Sequence, residues 1–93
     1  MGQYHIVFEA LAQKHITKHF KSGNKASIKK LEQILIQLSE TPYQGFGNPE
    51  VLKHELAGYW ARRINQKDRL IYKIEENIVT VFIISALGHY GDK

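Results

Sequence analysis

An α+β fold is predicted, with two helices in the N-terminal half packed on a mainly antiparallel twisted sheet. Three observations predict it. Apolar residues recur at helical spacing up to Leu38. After residue 49 the pattern changes to strand-like runs over 50–56, 58–64, 69–75 and 78–86. The connections Asn65-Gln66-Lys67-Asp68 and Glu75-Glu76-Asn77 are polar and short enough for antiparallel hairpins. Helices first and a strand meander after them is the order of an α+β domain. The whole chain, 1–93, is read as one domain.

Taken in order, Tyr4, Ile6 and Phe8 alternate with His5 and Val7, which predicts a first strand. Residues 9–20 predict a helix with Ala12, Ile16 and Phe20 on one face. Ser22-Gly23-Asn24 ends it, and Asn24 is placed to cap the next helix. Ile28, Leu31, Ile34, Leu35 and Leu38 give that helix its apolar stripe. Thr41-Pro42 stops it, because the proline ring disfavours helical geometry at the residue before it. A loop rich in Gly and Pro follows to Pro49. In the last run Val79, Val81 and Ile83 are apolar, and so are Phe82 and Ile84, which predicts an inner strand buried on both faces.

Composition narrows the function. A hydrophobic content of 43% is ordinary for a folded domain. No apolar run approaches the ~18–20 residues that span a bilayer, so no membrane role is expected. With no cysteine, thiolate chemistry and disulfides are excluded, which fits the cytoplasm. The net charge is +4, which suits a polyanionic partner. All arginines, Arg62, Arg63 and Arg69, lie in the second half, and arginine grips phosphate with a planar fork.

That half also holds Glu50, Lys53, His89 and Tyr90. RNA is cut without a metal when a base takes the 2′-hydroxyl proton, an acid protonates the leaving 5′-oxygen and cations stabilise the phosphoryl charge. Glu50 suits the base and His89 the acid. Arg69 and Arg63 suit the phosphate, with Lys53 a further cation and Arg62 counted in the same substrate-binding set. Parity aligns Arg63 with Tyr59 and Ala61, and Arg69 with Ile71 and Lys73. A three-residue hairpin loop at 65–67 would set the two arginines opposite each other. Each residue also has a plain reading, as a solvated carboxylate, exposed strand arginines or a tail histidine. His15 and His19 have metal-compatible i, i+4 spacing, yet no third ligand follows, so no metal or other cofactor is expected.

The run Gly45-x-Gly47-x-Pro49-Glu50-x-Leu52-Lys53, Leu56-x-Gly58-x-Trp60, Arg62-Arg63-Ile64, Arg69-Leu70-x-Tyr72 and His89-Tyr90 resembles the YoeB/Txe toxins. The resemblance implies a RelE-like, microbial-ribonuclease-like fold. It implies mRNA cleavage in the ribosomal A site and neutralisation by a YefM/Phd-type antitoxin, and it leaves a homodimer open. By motif position Glu50 matches the family's general base, Arg69 its phosphate-stabilising arginine and His89 its general acid. Tyr90 matches its terminal active-site tyrosine, and Arg63 an arginine that supports substrate binding. A ParE-like toxin, which binds DNA gyrase without turnover, is the alternative. The first helix, rich in Lys and His where many members carry acidic and aromatic residues, departs from the pattern.

Overall fold

A computed structural model describes residues 3–88. The chain runs β1 (His5–Phe8), α1 (Ala10–Ser22), α2 (Lys25–Glu40), β2 (Glu50–Val51), β3 (Tyr59–Arg63), β4 (Arg69–Glu75) and β5 (Thr80–Ser85). The strands form one sheet in the order β1-β5-β4-β3-β2. β2 through β5 pair antiparallel in succession, while β1 returns to the far edge and pairs parallel with β5. The expected α+β architecture of two helices on one sheet is therefore the observed one, with a single parallel pair.

One face of the sheet carries the helices. Ala12 of α1 and Leu31, Ile34 and Leu38 of α2 pack on Leu70, Tyr72, Val81 and Ile83, all fully buried. Each buried Leu, Ile or Val among them contributes about 1.5–3 kcal/mol by leaving water. The opposite face carries a smaller apolar cluster of Leu52, Ala61 and Ile71, bordered by Leu56, Tyr59 and Ile84. β5 thus lies between two strands with apolar groups on both faces, as its unbroken apolar run predicts. A register shift between Ile71 and Tyr72 leaves Ile84 as the extra residue of a bulge, and it packs on the open face against the Leu52, Ala61 and Ile71 cluster.

Helix boundaries follow local chemistry. The Asn24 side chain accepts the Ser27 N–H at 3.1 Å, so the expected cap is present. α2 stops at Glu40, and Thr41 is extended ahead of Pro42. On α1 the expected face is corrected. Phe20 is exposed, and His19 takes the buried position. At 100° per residue, Phe20 lies about 80° round from Ala12 but His19 only about 20°.

The 50–56 strand is also corrected. Pairing ends at Val51, and His54–Leu56 forms a 3₁₀ turn. His54 adopts a left-handed φ of 60°, and Leu52 N–H donates to Tyr59 C=O at 2.9 Å. The chain doubles back before a longer strand can form. Likewise Glu76–Ile78 is a 3₁₀ turn, so the last strand begins at Thr80 rather than 78.

Candidate active site

The loop between α2 and β2 decides where Glu50 sits, and a buried arginine shapes that loop. On β3, Arg62 points with Trp60 and Ile64 toward the helices and is fully buried. Its Nε donates to the Tyr72 hydroxyl at 2.9 Å. Nη1 donates to Phe46 C=O at 2.9 Å and Gln37 Oε1 at 3.2 Å. Nη2 donates to the carbonyls of Thr41 at 3.3 Å and Gln44 at 3.2 Å. Tyr72 in turn donates to Pro42 C=O at 2.9 Å. Burial pushes the Tyr72 hydroxyl up, with Arg62 acting the other way.

Arg62 was expected in the substrate-binding set, and this geometry corrects it. Its guanidinium faces the helix side and is saturated by the protein's own oxygens, because a buried cation is tolerated only when its donors are satisfied. Its work is to gather the 41–46 backbone. Gly47 completes the turn with φ +83°, and its carbonyl accepts the Arg63 N–H at 2.6 Å. A Cβ there would meet the Arg63 carbonyl oxygen at 2.9 Å, so the close approach requires glycine. Pro49 and Glu50 are thereby delivered to the edge of β3.

Three of the candidate side chains, Glu50, Arg63 and Arg69, share the face away from the helices. Glu50 pairs with Ala61, which pairs with Ile71, so these three share that face. Arg63 pairs with Arg69, and Tyr59 with Lys73, on the same side. The predicted opposition of the two arginines is the observed register. Asn65 Oδ1 fixes the turn by accepting the N–H groups of Lys67 at 2.9 Å and Asp68 at 2.8 Å. Sheet spacing puts the Glu50 and Arg69 α-carbons about 10 Å apart across the strands and about 7 Å along them.

Exposure differs sharply among these groups. Glu50 is exposed and lines a groove of ≈ 250 Å³ with Val51, Lys53 and His54. Arg63 is exposed. Arg69 is only 8% exposed, and its Nη1 is buried without a hydrogen-bond partner among the described residues. An unpaired buried donor on a cation is costly, and an anion would satisfy it. His89 and Tyr90, expected as general acid and active-site tyrosine, lie outside the described residues.

Sequence reading missed three residues here. Lys73 adds a cation to the open face, set over the Phe82 ring at 5.4 Å. Strand parity with Arg69 was the available signal. His54 lines the Glu50 groove through a turn that propensity does not reveal. Asp68, buried next to Arg69 in sequence, accepts the Gly88 N–H at 3.0 Å, a contact 20 residues apart.

Residues 12–90 match the family described as YoeB-like toxin of bacterial type II toxin-antitoxin system. The chain belongs to this family. The chain is 38% identical over 71 residues to Toxin YoeB of Synechocystis sp., covering 76% of this chain and 80% of that relative. The structure of the YoeB dimer from Staphylococcus aureus superposes with a TM-score of 0.78 at 32% identity, covering 95% of this chain and 99% of that one. The YoeB-YefM complex from Staphylococcus aureus gives 0.75 at 35% identity, covering 94% and 98%. The architecture is that of RelE/YoeB-like toxins, as the sequence resemblance implied.

Proposed function

We propose that this YoeB-type toxin is a ribosome-dependent endoribonuclease that cuts mRNA in the A site, without a metal, by attack of the 2′-hydroxyl. Glu50 takes the 2′-OH proton. The 2′-oxygen then bonds to phosphorus as the P–O5′ bond breaks, and His89 gives its proton to the departing 5′-oxygen. The products are a 2′,3′-cyclic phosphate and a 5′-hydroxyl. Arg69, Arg63 and Lys53 stabilise the charge that builds on the phosphoryl oxygens, and Tyr90 completes the site.

The observation that carries this reading is the open face itself. It sets Glu50 on the same side as two arginines in register, one of them with an unpartnered buried Nη1 among the described residues. Two cations at that spacing repel, and an anion between them relieves the cost. The YoeB-YefM complex supports a YefM/Phd-type antitoxin as partner, and the YoeB dimer supports self-association.

Primer extension on a defined message translated in a cell-free system tests the reading, with wild-type toxin and with Glu50→Gln, Arg69→Ala and His89→Ala. A discrete cut inside the A-site codon, lost or strongly slowed in each variant, is expected. An intact message with wild-type toxin would sink the nuclease, and gyrase poisoning would be measured next.

A further inference from the structure

We propose that His15 and His19 are positioning residues for strand cleavage. From one face of α1 they hold the Ala86 peptide between them, and so fix the 86–88 segment beside Arg69. The inference rests on the nuclease reading above, since its activity readout is RNA cleavage.

At i, i+4 the two rings stand one above the other on the helix. The Ala86 N–H donates to His15 Nδ1 at 3.0 Å. The Ala86 carbonyl lies 2.7 Å from His19 Nε2. A carbonyl only accepts, so His19 carries a proton on Nε2, whereas His15 must be unprotonated on Nδ1. Ala86 is fully buried just past the last strand pair, Ile71 with Ser85. Its backbone groups would otherwise lose water without a partner. Two residues on, the Gly88 N–H donates to Asp68 Oδ1 at 3.0 Å, and the Gly88 carbonyl accepts the Arg69 N–H at 2.9 Å.

The segment is therefore tied to α1 by side chains and to the start of β4 by the backbone of the phosphate-binding arginine. Any slack in this segment therefore reaches the backbone of Arg69, which the proposed mechanism sets on the phosphate. A displacement of about 1 Å at a reacting group costs on the order of 10²-fold in rate. The same geometry accounts for the histidine spacing without a metal, because the nitrogen each ring turns toward Ala86 is already engaged.

The clamp is pH-sensitive through His15. Protonated at Nδ1, it would turn a donor toward a donor. Burial, then Lys18 and His19 on the same helix, push His15 below its ordinary value of 6.5, while Asp68 in the β3–β4 turn pulls upward. Ala86, the residue it contacts from the strand end, does not titrate.

Two substitutions separate positioning from folding. His15→Asn sets an oxygen close to where Nδ1 stands and accepts at every pH, whereas His15→Gln carries its oxygen to the Nε2 position, away from Ala86. The expected result is a kcat near wild type for His15→Asn and about 10²-fold lower for His15→Gln, with KM unchanged in both. His19→Gln, whose amide can donate near the Nε2 position, should outperform His19→Ala. Hydrogen exchange of the Ala86 amide, followed by NMR on the full chain, should show protection that fades below pH 6.5 in wild type and persists in His15→Asn. Equal kcat for His15→Asn and His15→Gln, or an Ala86 amide unaffected by His15→Gln, would overturn the clamp. A wild-type chain that never cuts would overturn the nuclease instead, leaving the exchange measurement to read the clamp alone.

Discussion

Arg62 and Arg69 belong to one hairpin and leave it from opposite faces of the sheet. Arg62, on the helix-covered face, gives its guanidinium to Tyr72, Gln37 and three loop carbonyls. Arg69, on the open face, is almost as buried but keeps an unpartnered Nη1 among the described residues. The same side chain thus serves two ends. Where the protein supplies all the acceptors, the charge organises backbone. Where it leaves a donor unmet, the charge is available to an anion. Burial does not separate the two arginines; hydrogen-bond satisfaction does.

The largest expected effect tests the first half of this contrast. Arg62→Ala strips the Thr41, Gln44 and Phe46 carbonyls and the Tyr72 hydroxyl of their donor. It should cost about 3–5 kcal/mol in guanidinium denaturation, much of the stability of a domain this small. Arg62→Lys should recover little, since one ammonium cannot span the same acceptors. Retention of full stability in Arg62→Ala would break the comparison.

Arg69→Ala tests the second half. It should slow RNA cleavage on the order of 10²–10³-fold while leaving the denaturation midpoint unchanged or raised, because it deletes an unsatisfied buried donor. A loss of stability matching that of Arg62→Ala would mean that the two arginines do the same work. Gly47→Ala sharpens the contrast from the loop side. The left-handed φ and the close Arg63 carbonyl predict a loss of about 1–3 kcal/mol. Cleavage should fall as well, because the loop delivers Glu50, although no residue of the open face is altered.

The smallest effect is a slope with pH. His15 is held below its ordinary 6.5 by burial first, so the fold favours its neutral form. Its contribution to stability is present above that value and is lost as pH falls toward and through the lowered one. Thermal midpoints taken from pH 8 to pH 5 should fall more steeply in wild type than in His15→Asn. Parallel curves would remove His15 from the account.

How much of this was legible beforehand varies by residue. The hairpin register that opposes Arg63 to Arg69 follows from a polar connection of fixed length and a period of two. The Asn24 cap and the Pro42 stop are equally local, and both are observed. Arg62 shows the limit. Its parity with Trp60 and Ile64 already set it on the core side, yet its charge suggested phosphate. Only the distant acceptors on α2 and in the 41–46 loop explain how a cation is tolerated there. Helical periodicity already favoured His19 over Phe20 for the buried position, but the acceptor that lets an imidazole sit there, the Ala86 carbonyl, lies 67 residues away.

The sequence by itself determined the α+β order, the helix ends, the strand pairing of the central hairpin and the basic residue types of the open face. Those features depend on dihedral preference and on contacts between near neighbours in the chain. The tertiary structure alone decided which guanidinium has its donors satisfied and which keeps one unmet among the described residues, where the 50–56 run doubles back, and what holds residues 86–88. Each of these turns on whether a buried polar group finds its partner, and the partner's place in space is not fixed by its place in the chain.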